Sequence, residues 1–119
     1  HGDEGLDEIS VTSETSISEL KDMQIKEYKI SPTDFGLDFG TFEAITAQSS
    51  KESLKMVNEA FAGTKSTVQD MIAMNAGAAL YIANKATSIA NGIELAFDLM
   101  NSGKAAEKLN AYVNASNNL

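Results

Sequence analysis

The hydrophobic pattern of the chain changes from short strand-like repeats to longer helical repeats near residue 49. Before that point, two short segments with apolar residues at Ile17 and Leu20, and at Ile25, Tyr28 and Ile30, stand on either side of residues 21–24. This arrangement predicts a β-hairpin that turns at Lys21-Asp22-Met23-Gln24. Because the alternation is imperfect on the second strand, we also expect a bulge near Lys26-Glu27.

Four helices are predicted in the second half of the chain. A hydroxyl residue followed three positions later by Glu or Gln, the spacing of a capping box, occurs at Ser49 with Glu52 and at Ser66 with Gln69. The third helix is expected to follow residues 87–88, and the fourth to span about 104–115. Glycines that can end a helix follow the first and third of them, at Gly63 and Gly103. Residues 114–119 are expected to fray.

Each predicted helix carries apolar residues at helical spacing, which predicts that the helices pack on one another. These stripes are Leu54, Val57 and Phe61; Val68, Met71, Ile72, Ala79, Leu80 and Ile82; Ile89, Ile93, Ala96, Phe97 and Met100; and Leu109, Tyr112 and Val113. The methionines Met71, Met74 and Met100 are expected to fill gaps in the core. Asn75 falls on the apolar face of the second helix and is expected to be a buried, hydrogen-bonded structural residue.

The elements add up to an α+β chain, a β-hairpin followed by a cluster of about four helices. We divide it as one partial domain, 1–119, with an acidic loop and hairpin at 1–36, a linker at 37–48 and a helical cluster at 49–119. The linker has apolar anchors at Leu37, Phe39, Phe42 and Ile45. Because two strands alone are marginally stable, the hairpin must either pack on the helices or join a sheet whose other strands lie elsewhere.

Composition excludes several classes of function. The formal net charge of −8 argues against nucleic-acid binding, which needs a surplus of basic residues to neutralise phosphates. The chain has no cysteine, so disulfides and thiolate metal sites are not available. No apolar run approaches the roughly 20 residues that span a bilayer, and no signal-peptide pattern is present. These features predict a cytoplasmic protein that binds no membrane.

Candidate chemistry is concentrated in the first ten residues, where four carboxylates accompany two glycines: Asp3, Glu4, Asp7 and Glu8 with Gly2 and Gly5. The adjacent carboxylates of Asp7 and Glu8 suit Mg²⁺, which prefers oxygen ligands and is often shared with substrate phosphates. An acidic, glycine-containing segment is, however, more often a solvated surface loop. The residue pattern alone therefore leaves both interpretations open.

Other catalytic arrangements are absent from the sequence. The single imidazole, His1, is better explained as a cloning or cleavage boundary than as a ligand or base. With no cysteine, the chain offers no nucleophile and base pair, so we assign no catalytic residue. The glycines of Gly36-Leu37-Asp38-Phe39-Gly40 lack the spacing and the lysine of a phosphate-binding P-loop. The chain also lacks an initial methionine, and we expect it to be a piece of a longer protein with an incomplete site.

Several segments together resemble the anthranilate phosphoribosyltransferases. Residues 5–10, GLDEIS, are similar to the family's acidic loop, approximately HGxDGLDEIS, and residues 28–37, YKISPTDFGL, are similar to its YxLxPEDFGL. The helix NAGAALYIA at 75–83 resembles the family's NAAAALYVA, and residues 88–96 and 102–105 resemble its closing helices. The resemblance covers essentially the whole chain, and it corresponds to the C-terminal third of such an enzyme.

The resemblance implies a fold and an activity. The chain would be the C-terminal part of an α/β domain of the phosphoribosyltransferase and nucleoside-phosphorylase type. The whole enzyme would transfer phosphoribosyl from phosphoribosyl pyrophosphate to anthranilate in tryptophan biosynthesis, and it would be a homodimer. Asp7 and Glu8 match the pair that binds Mg²⁺ on the pyrophosphate, whereas Asp3 and Glu4 are expected to be bystanders. An N-terminal portion with a GTGGD phosphate loop and the anthranilate site would precede His1, so the chain alone is expected to be inactive.

The sequence departs from the family pattern in the turns. Glu4 stands where the family usually has Asp, Met23 replaces a common turn glycine, and Ser13-Glu14 replaces a frequent Gly-Pro. These departures affect loop geometry and leave the Asp7-Glu8 pair intact. Two alternatives remain at this stage. The chain could be a non-catalytic interaction module that associates through an exposed apolar face, or it could be a piece of a pyrimidine nucleoside phosphorylase.

Overall fold

The computed structural model describes residues 1–118 and contains a hairpin followed by helices. The strands are β1, Thr15–Lys21, and β2, Gln24–Ile30; the helices are α1, Phe42–Ile45, α2, Ser50–Phe61, α3, Thr67–Ile82, α4, Ile89–Asn101, and α5, Lys104–Asn117. A short 3-10 helix spans Pro32–Phe35. The predicted fold class, a hairpin followed by about four longer helices, is confirmed. The sequence had not predicted α1 or the 3-10 helix.

The hairpin turns at the predicted residues. Lys21 pairs with Gln24, so the loop has two residues, Asp22 and Met23, and both have positive φ angles of 51° and 62°. That backbone matches the right-handed twist of the two strands. The predicted bulge is wrong, because Lys26 and Glu27 pair in unbroken register with Glu19 and Ser18. The imperfect alternation has another cause: the outer half of the hairpin is exposed, so burial does not impose a pattern there.

The hairpin packs on the helical part through one tyrosine of α3. The Tyr81 hydroxyl donates a hydrogen bond to Glu19 Oε1 at 2.6 Å and accepts one from Lys21 Nζ at 2.9 Å. Tyr28 donates to the other oxygen of Glu19 at 3.1 Å. The hydrogen bond from Tyr81 is the main reason that the pKa of Glu19 is lowered. Of the two arrangements left open for the hairpin, the described residues show contact with the helices.

The core lies between α3, α4 and the loop that precedes β1. Its buried residues are Val11, Ala73, Met74, Ile93, Ala96 and Met100. The two central helices approach very closely where Gly77 faces Gly92, because a Cβ placed on Gly92 would lie 2.2 Å from the Gly77 carbonyl oxygen. This contact determines which face of α3 is buried. Met74 and Met100 are buried and Met71 packs against the core, so the prediction for the methionines is confirmed.

The glycine contact also explains why the predicted stripe on α3 is partly wrong. The buried residues of α3 are Gln69, Ala73, Met74 and Gly77, whereas Ala79 is exposed and Ile82 is 72% exposed. Small residues let the α4 backbone approach, so the larger apolar residues are placed at the edges of the contact. Leu54, Tyr112 and Val113 are likewise exposed on α2 and α5, against expectation.

Two further predictions need correction in the linker and at the end of the chain. Leu37 and Ile45 pack against the core as expected, but Phe39 and Phe42 are half exposed and do not anchor the linker. Part of the linker forms α1 because Thr41 caps it, accepting a hydrogen bond from the Ala44 N–H. Helix α5 continues to Asn117, two residues past the predicted end, and Leu119 of the expected fraying tail lies outside the described residues.

The second capping box forms only in part. Ser66 accepts a hydrogen bond from the Gln69 N–H, as predicted. The Gln69 side chain, however, donates instead to the carbonyl of Ala60 and to Asn101 Oδ1, both at 3.2 Å. It therefore connects α2, α3 and α4 from a nearly fully buried position.

Candidate functional site: the acidic turn

The acidic turn, residues 2–10, is closed at its first half by main-chain hydrogen bonds. The Gly2 N–H donates to the Leu6 carbonyl, and the Gly5 N–H donates to the Gly2 carbonyl, each at 2.9 Å. Gly5 adopts a φ angle of 105°, a backbone conformation that would be strained for a residue with a side chain. This tight closure ends at Leu6, and the exposed carboxylates of Asp7 and Glu8 follow directly.

The second half of the turn is fixed to the rest of the protein. The Ile9 N–H donates to Asn75 Oδ1 at 2.9 Å, and the Ile9 carbonyl accepts from Asn75 Nδ2 at 2.8 Å. Next along the chain, the Ser10 N–H donates to Thr15 Oγ1 at 2.9 Å. Val11 is fully buried in the core, and its carbonyl accepts from the Gly40 N–H at 2.8 Å. Asp7 and Glu8 thus lie between two anchored points.

The four carboxylates of the turn have different surroundings. Asp3 forms an ion pair with Lys29 at 2.6 Å. Glu4 accepts hydrogen bonds from the hydroxyls of three residues, Ser10, Thr12 and Ser13. Within residues 1–118, Asp7 and Glu8 form neither an ion pair nor a hydrogen bond. The two residues expected to bind a metal are therefore the two whose oxygens remain available.

The carboxylate oxygens of Asp7 and Glu8 fit a metal ion that is shared with a phosphate. They do not fit a metal ion that is held by protein ligands alone. Among the described residues, no three His, Cys, Asp or Glu side chains converge as a metal site would require. Mg²⁺ is usually held by one or two carboxylates, with waters and substrate phosphates completing its shell. Two adjacent, exposed and unengaged carboxylates match that requirement.

Glu4 has a structural role that the sequence did not reveal. Partial desolvation raises the pKa of Glu4, but the hydroxyl donors of Ser10, Ser13 and Thr12 lower it by more, to about 2 from 4.5. The Ser10 hydroxyl also accepts from the Thr12 and Ser13 N–H groups. Glu4 therefore organises the loop that leads from the acidic turn to β1. The group of hydroxyls at residues 10, 12 and 13 was the available signal.

Replacing Glu4 with glutamine should reduce stability in a pH-dependent way. A lowered pKa in the folded state stabilises the fold fully above about pH 4.5 and loses this contribution as the pH falls towards 2. We expect Glu4→Gln to lower the free energy of unfolding by roughly 1 kcal/mol at pH 7, after solvent screening, with the difference shrinking below pH 4.5. Urea denaturation from pH 2 to 7 measures it. Glu43→Gln, at an exposed position of α1, is the control, and an equal loss there would contradict the role of Glu4.

None of the helices in residues 1–118 has the length and apolar content that crossing a membrane requires.

Asn75, expected to be buried, is only half-buried, but it is hydrogen-bonded as predicted. The His1 main chain pairs with Ser16, with the Ser16 N–H donating to the His1 carbonyl at 2.9 Å. Whether His1 marks a boundary stays a prediction, as does the division of the chain into segments.

Comparisons with known proteins agree on one family. Residues 1–106 match the family model described as glycosyl transferase family, a/b domain. A protein of Halorhodospira halophila named anthranilate phosphoribosyltransferase is 42% identical over 113 residues, which are 95% of this chain and 33% of that protein. One of the same name from Nitrosomonas eutropha is 40% identical over 119 residues, all of this chain and 35% of that protein. The chain thus spans about a third of the length of these relatives.

Solved structures of proteins with that name share the fold of this chain. An anthranilate phosphoribosyltransferase from Saccharomyces cerevisiae, in complex with 4-fluoroanthranilate, has a TM-score of 0.86 at 22% identity and covers 99% of this chain and 35% of its own. A serine-to-alanine variant of the yeast enzyme with Mg bound has a TM-score of 0.85 at 22% identity, covering 99% of this chain and 35% of its own. The enzyme from Thermus thermophilus has a TM-score of 0.79 at 28% identity, covering 92% of this chain and 32% of its own.

Proposed function

The chain belongs to the glycosyl transferase family whose a/b domain it matches, and on that premise we propose that it forms part of an anthranilate phosphoribosyltransferase. In this proposal the whole enzyme transfers phosphoribosyl from phosphoribosyl pyrophosphate to the amino group of anthranilate, a step of tryptophan biosynthesis. The name and the roughly 40% identity of the curated relatives support it. The observation that carries it is the pair of unengaged carboxylates at Asp7 and Glu8.

Asp7 and Glu8 would hold Mg²⁺ at the pyrophosphate of the substrate. The yeast variant of the same fold, whose structure has Mg bound, supports that choice of metal. When bound, the ion supplies positive charge that neutralises the departing pyrophosphate. The attacking group is the amine of anthranilate, so the chemistry requires no nucleophile from the protein. This fits a chain that contains neither cysteine nor an internal histidine.

The proposed enzyme includes a further portion that carries the phosphate loop and the anthranilate site. The chain spans only about a third of its relatives, and several apolar side chains are exposed, with Leu20 at 69% and both Ile25 and Ile82 at 72%. Additional protein would offer apolar surface to cover them. The homodimer and the cytoplasmic location implied by the resemblance belong to the same proposal.

The assay uses the product of the complete open reading frame that encodes this chain, here called the full-length protein. With anthranilate, phosphoribosyl pyrophosphate and Mg²⁺, we expect the fluorescence of anthranilate to decrease as it is consumed. The 119-residue chain alone, at the same concentration, should show no turnover. Turnover by the isolated chain would contradict an incomplete site, and an inactive full-length protein would contradict the proposed reaction.

A further inference from the structure

The side-chain carboxamide of Asn75 holds the main chain of Ile9, in the acidic turn, through both its oxygen and its nitrogen. Its Oδ1 accepts from the Ile9 N–H, one Nδ2 hydrogen is donated to the Ile9 carbonyl, and the other to the Met71 carbonyl at 3.0 Å. Only one orientation of the amide satisfies both groups of Ile9, because a flipped amide would face donor to donor and acceptor to acceptor. The contact is therefore specific for a carboxamide, and it joins residues 66 positions apart.

The helix that presents Asn75 is a rigid support. Its neighbours Ala73 and Met74 are fully buried, and they share the core with Val11, two residues beyond Ile9. The same helix is fixed to α4 through the close contact of Gly77 and Gly92. A side chain on such an element has little freedom to move, so its hydrogen bonds transmit the position of α3 to the main chain of Ile9.

The two carboxylates have no side-chain restraint of their own within the described residues. Their direction depends on the main chain, which is fixed on one side at Leu6 by the Gly2 N–H and on the other at Ile9 by Asn75. We propose that Asn75 is a positioning residue that aims Asp7 and Glu8 at the metal by holding Ile9. This inference rests on the proposed function, since it deepens the role of the same turn.

A purely structural Asn75 would affect stability alone, whereas a positioning Asn75 affects metal affinity in the folded protein. The probe is Mn²⁺ with inorganic pyrophosphate, titrated into the full-length protein and followed by electron paramagnetic resonance. We expect Asn75→Ala to raise the dissociation constant of Mn²⁺ about 10-fold to 100-fold, the range for groups that orient metal ligands. Asn75→Gln keeps the amide but displaces it, so we expect a smaller rise. Asn58→Ala, at an exposed position of α2, is the matched control and should leave the constant unchanged.

Hydrogen exchange followed by mass spectrometry gives the second measurement. In Asn75→Ala, exchange should increase in peptides that cover residues 6–10 and stay unchanged in α4. If Asn75→Ala does not fold, Asn75→Gln carries both measurements. Faster exchange at residues 6–10 with Mn²⁺ affinity equal to that of Asn58→Ala would reduce Asn75 to a structural role and overturn the inference.

The failure of the inference and that of the proposed function can be told apart with Asp7→Asn. If Asp7→Asn weakens Mn²⁺ binding and both Asn75 variants do not, the inference alone is wrong. If Asp7→Asn binds Mn²⁺ as tightly as the unmodified protein, the proposed metal site fails and the inference fails with it. A weaker affinity in both Asp7→Asn and Asn75→Ala supports both.

Discussion

Replacing Gly77 with alanine is expected to destabilise the fold strongly, because the added methyl group would meet the backbone of α4. The new Cβ would lie 2.5 Å from Ile93 Cγ1, 2.6 Å from the Ile93 nitrogen and 2.9 Å from the Gly92 carbonyl carbon. Two of these atoms belong to the backbone of α4 and cannot rotate away. The helices would have to separate, and Ala73, Ile93 and Ala96 would lose packing in the core between them.

Two opposing energies decide the size of this effect. Alanine is favoured over glycine in a helix interior by about 1 kcal/mol, which alone would stabilise α3. Overpacking of a close contact costs about 1 to 3 kcal/mol and occasionally more, and backbone contacts lie at the upper end. We therefore expect Gly77→Ala to lower the free energy of unfolding by about 2 kcal/mol or more, a large share of the roughly 5 to 15 kcal/mol of a typical domain.

Thermal and urea denaturation of the chain measure the loss of stability predicted for Gly77→Ala. Ser53→Ala, at an exposed position of α2, is the control and should change stability by less than about 0.5 kcal/mol. Gly92→Ala should be as harmful as Gly77→Ala, because its Cβ would meet the Gly77 carbonyl. A Gly77→Ala protein that melts at or above the temperature of the unmodified chain would show that the two helices do not approach this closely.

The largest effect on function is expected from Asp7→Asn and Glu8→Gln in the full-length protein. Both substitutions keep the shape of the side chain and remove the negative charge that would bind Mg²⁺. We expect each to lower kcat/KM for phosphoribosyl transfer by about 100-fold or more, the scale seen when one electrostatic contact to a charged transition state is removed. Additional Mg²⁺ should restore part of the activity, because the weakened site can be refilled by mass action.

Asp3→Asn is the matched control for the proposed metal ligands Asp7 and Glu8. Asp3 lies in the same turn, but Lys29 already occupies its carboxylate, and the pair is exposed, so its loss should change little. Kinetic assays of the three variants over a range of Mg²⁺ concentrations make the comparison. Equal losses in Asp3→Asn and Asp7→Asn would mean that the charge of the whole turn matters and that the two residues have no special role.

The sequence predicted the parts of this fold that depend on local signals. The turn at Asp22 and Met23 and the helix starts at Ser49 and Ser66 are set by neighbours a few positions away. The bulge at Lys26-Glu27 and the stripe on α3 were wrong because both were inferred from alternation or periodicity without knowing what lay opposite. A glycine in a helix signals close approach only after its partner is known.

The candidate site, like the fold, has parts that the sequence predicts and parts that it does not. Asp7 and Glu8 could be singled out because two carboxylates next to a glycine turn are visible in the sequence, and the resemblance gave them a role. Their supports could not be predicted: Asn75 reaches Ile9 over 66 positions, and Glu4 collects hydroxyls that follow it by six to nine positions. Neither pair of contacts follows a helical or strand spacing that could be recognised in the sequence.

The most direct test of the proposed metal site is crystallographic, on the full-length protein with Mn²⁺ and pyrophosphate. Anomalous scattering locates Mn²⁺ without assumptions about its ligands. We expect an anomalous peak roughly 2.1 Å from carboxylate oxygens of Asp7 and Glu8, the distance expected for a Mg²⁺-like ion, with pyrophosphate oxygens on its other side. Mn²⁺ bound to pyrophosphate away from this turn, or bound at Asp3 or Glu4 instead, would contradict it.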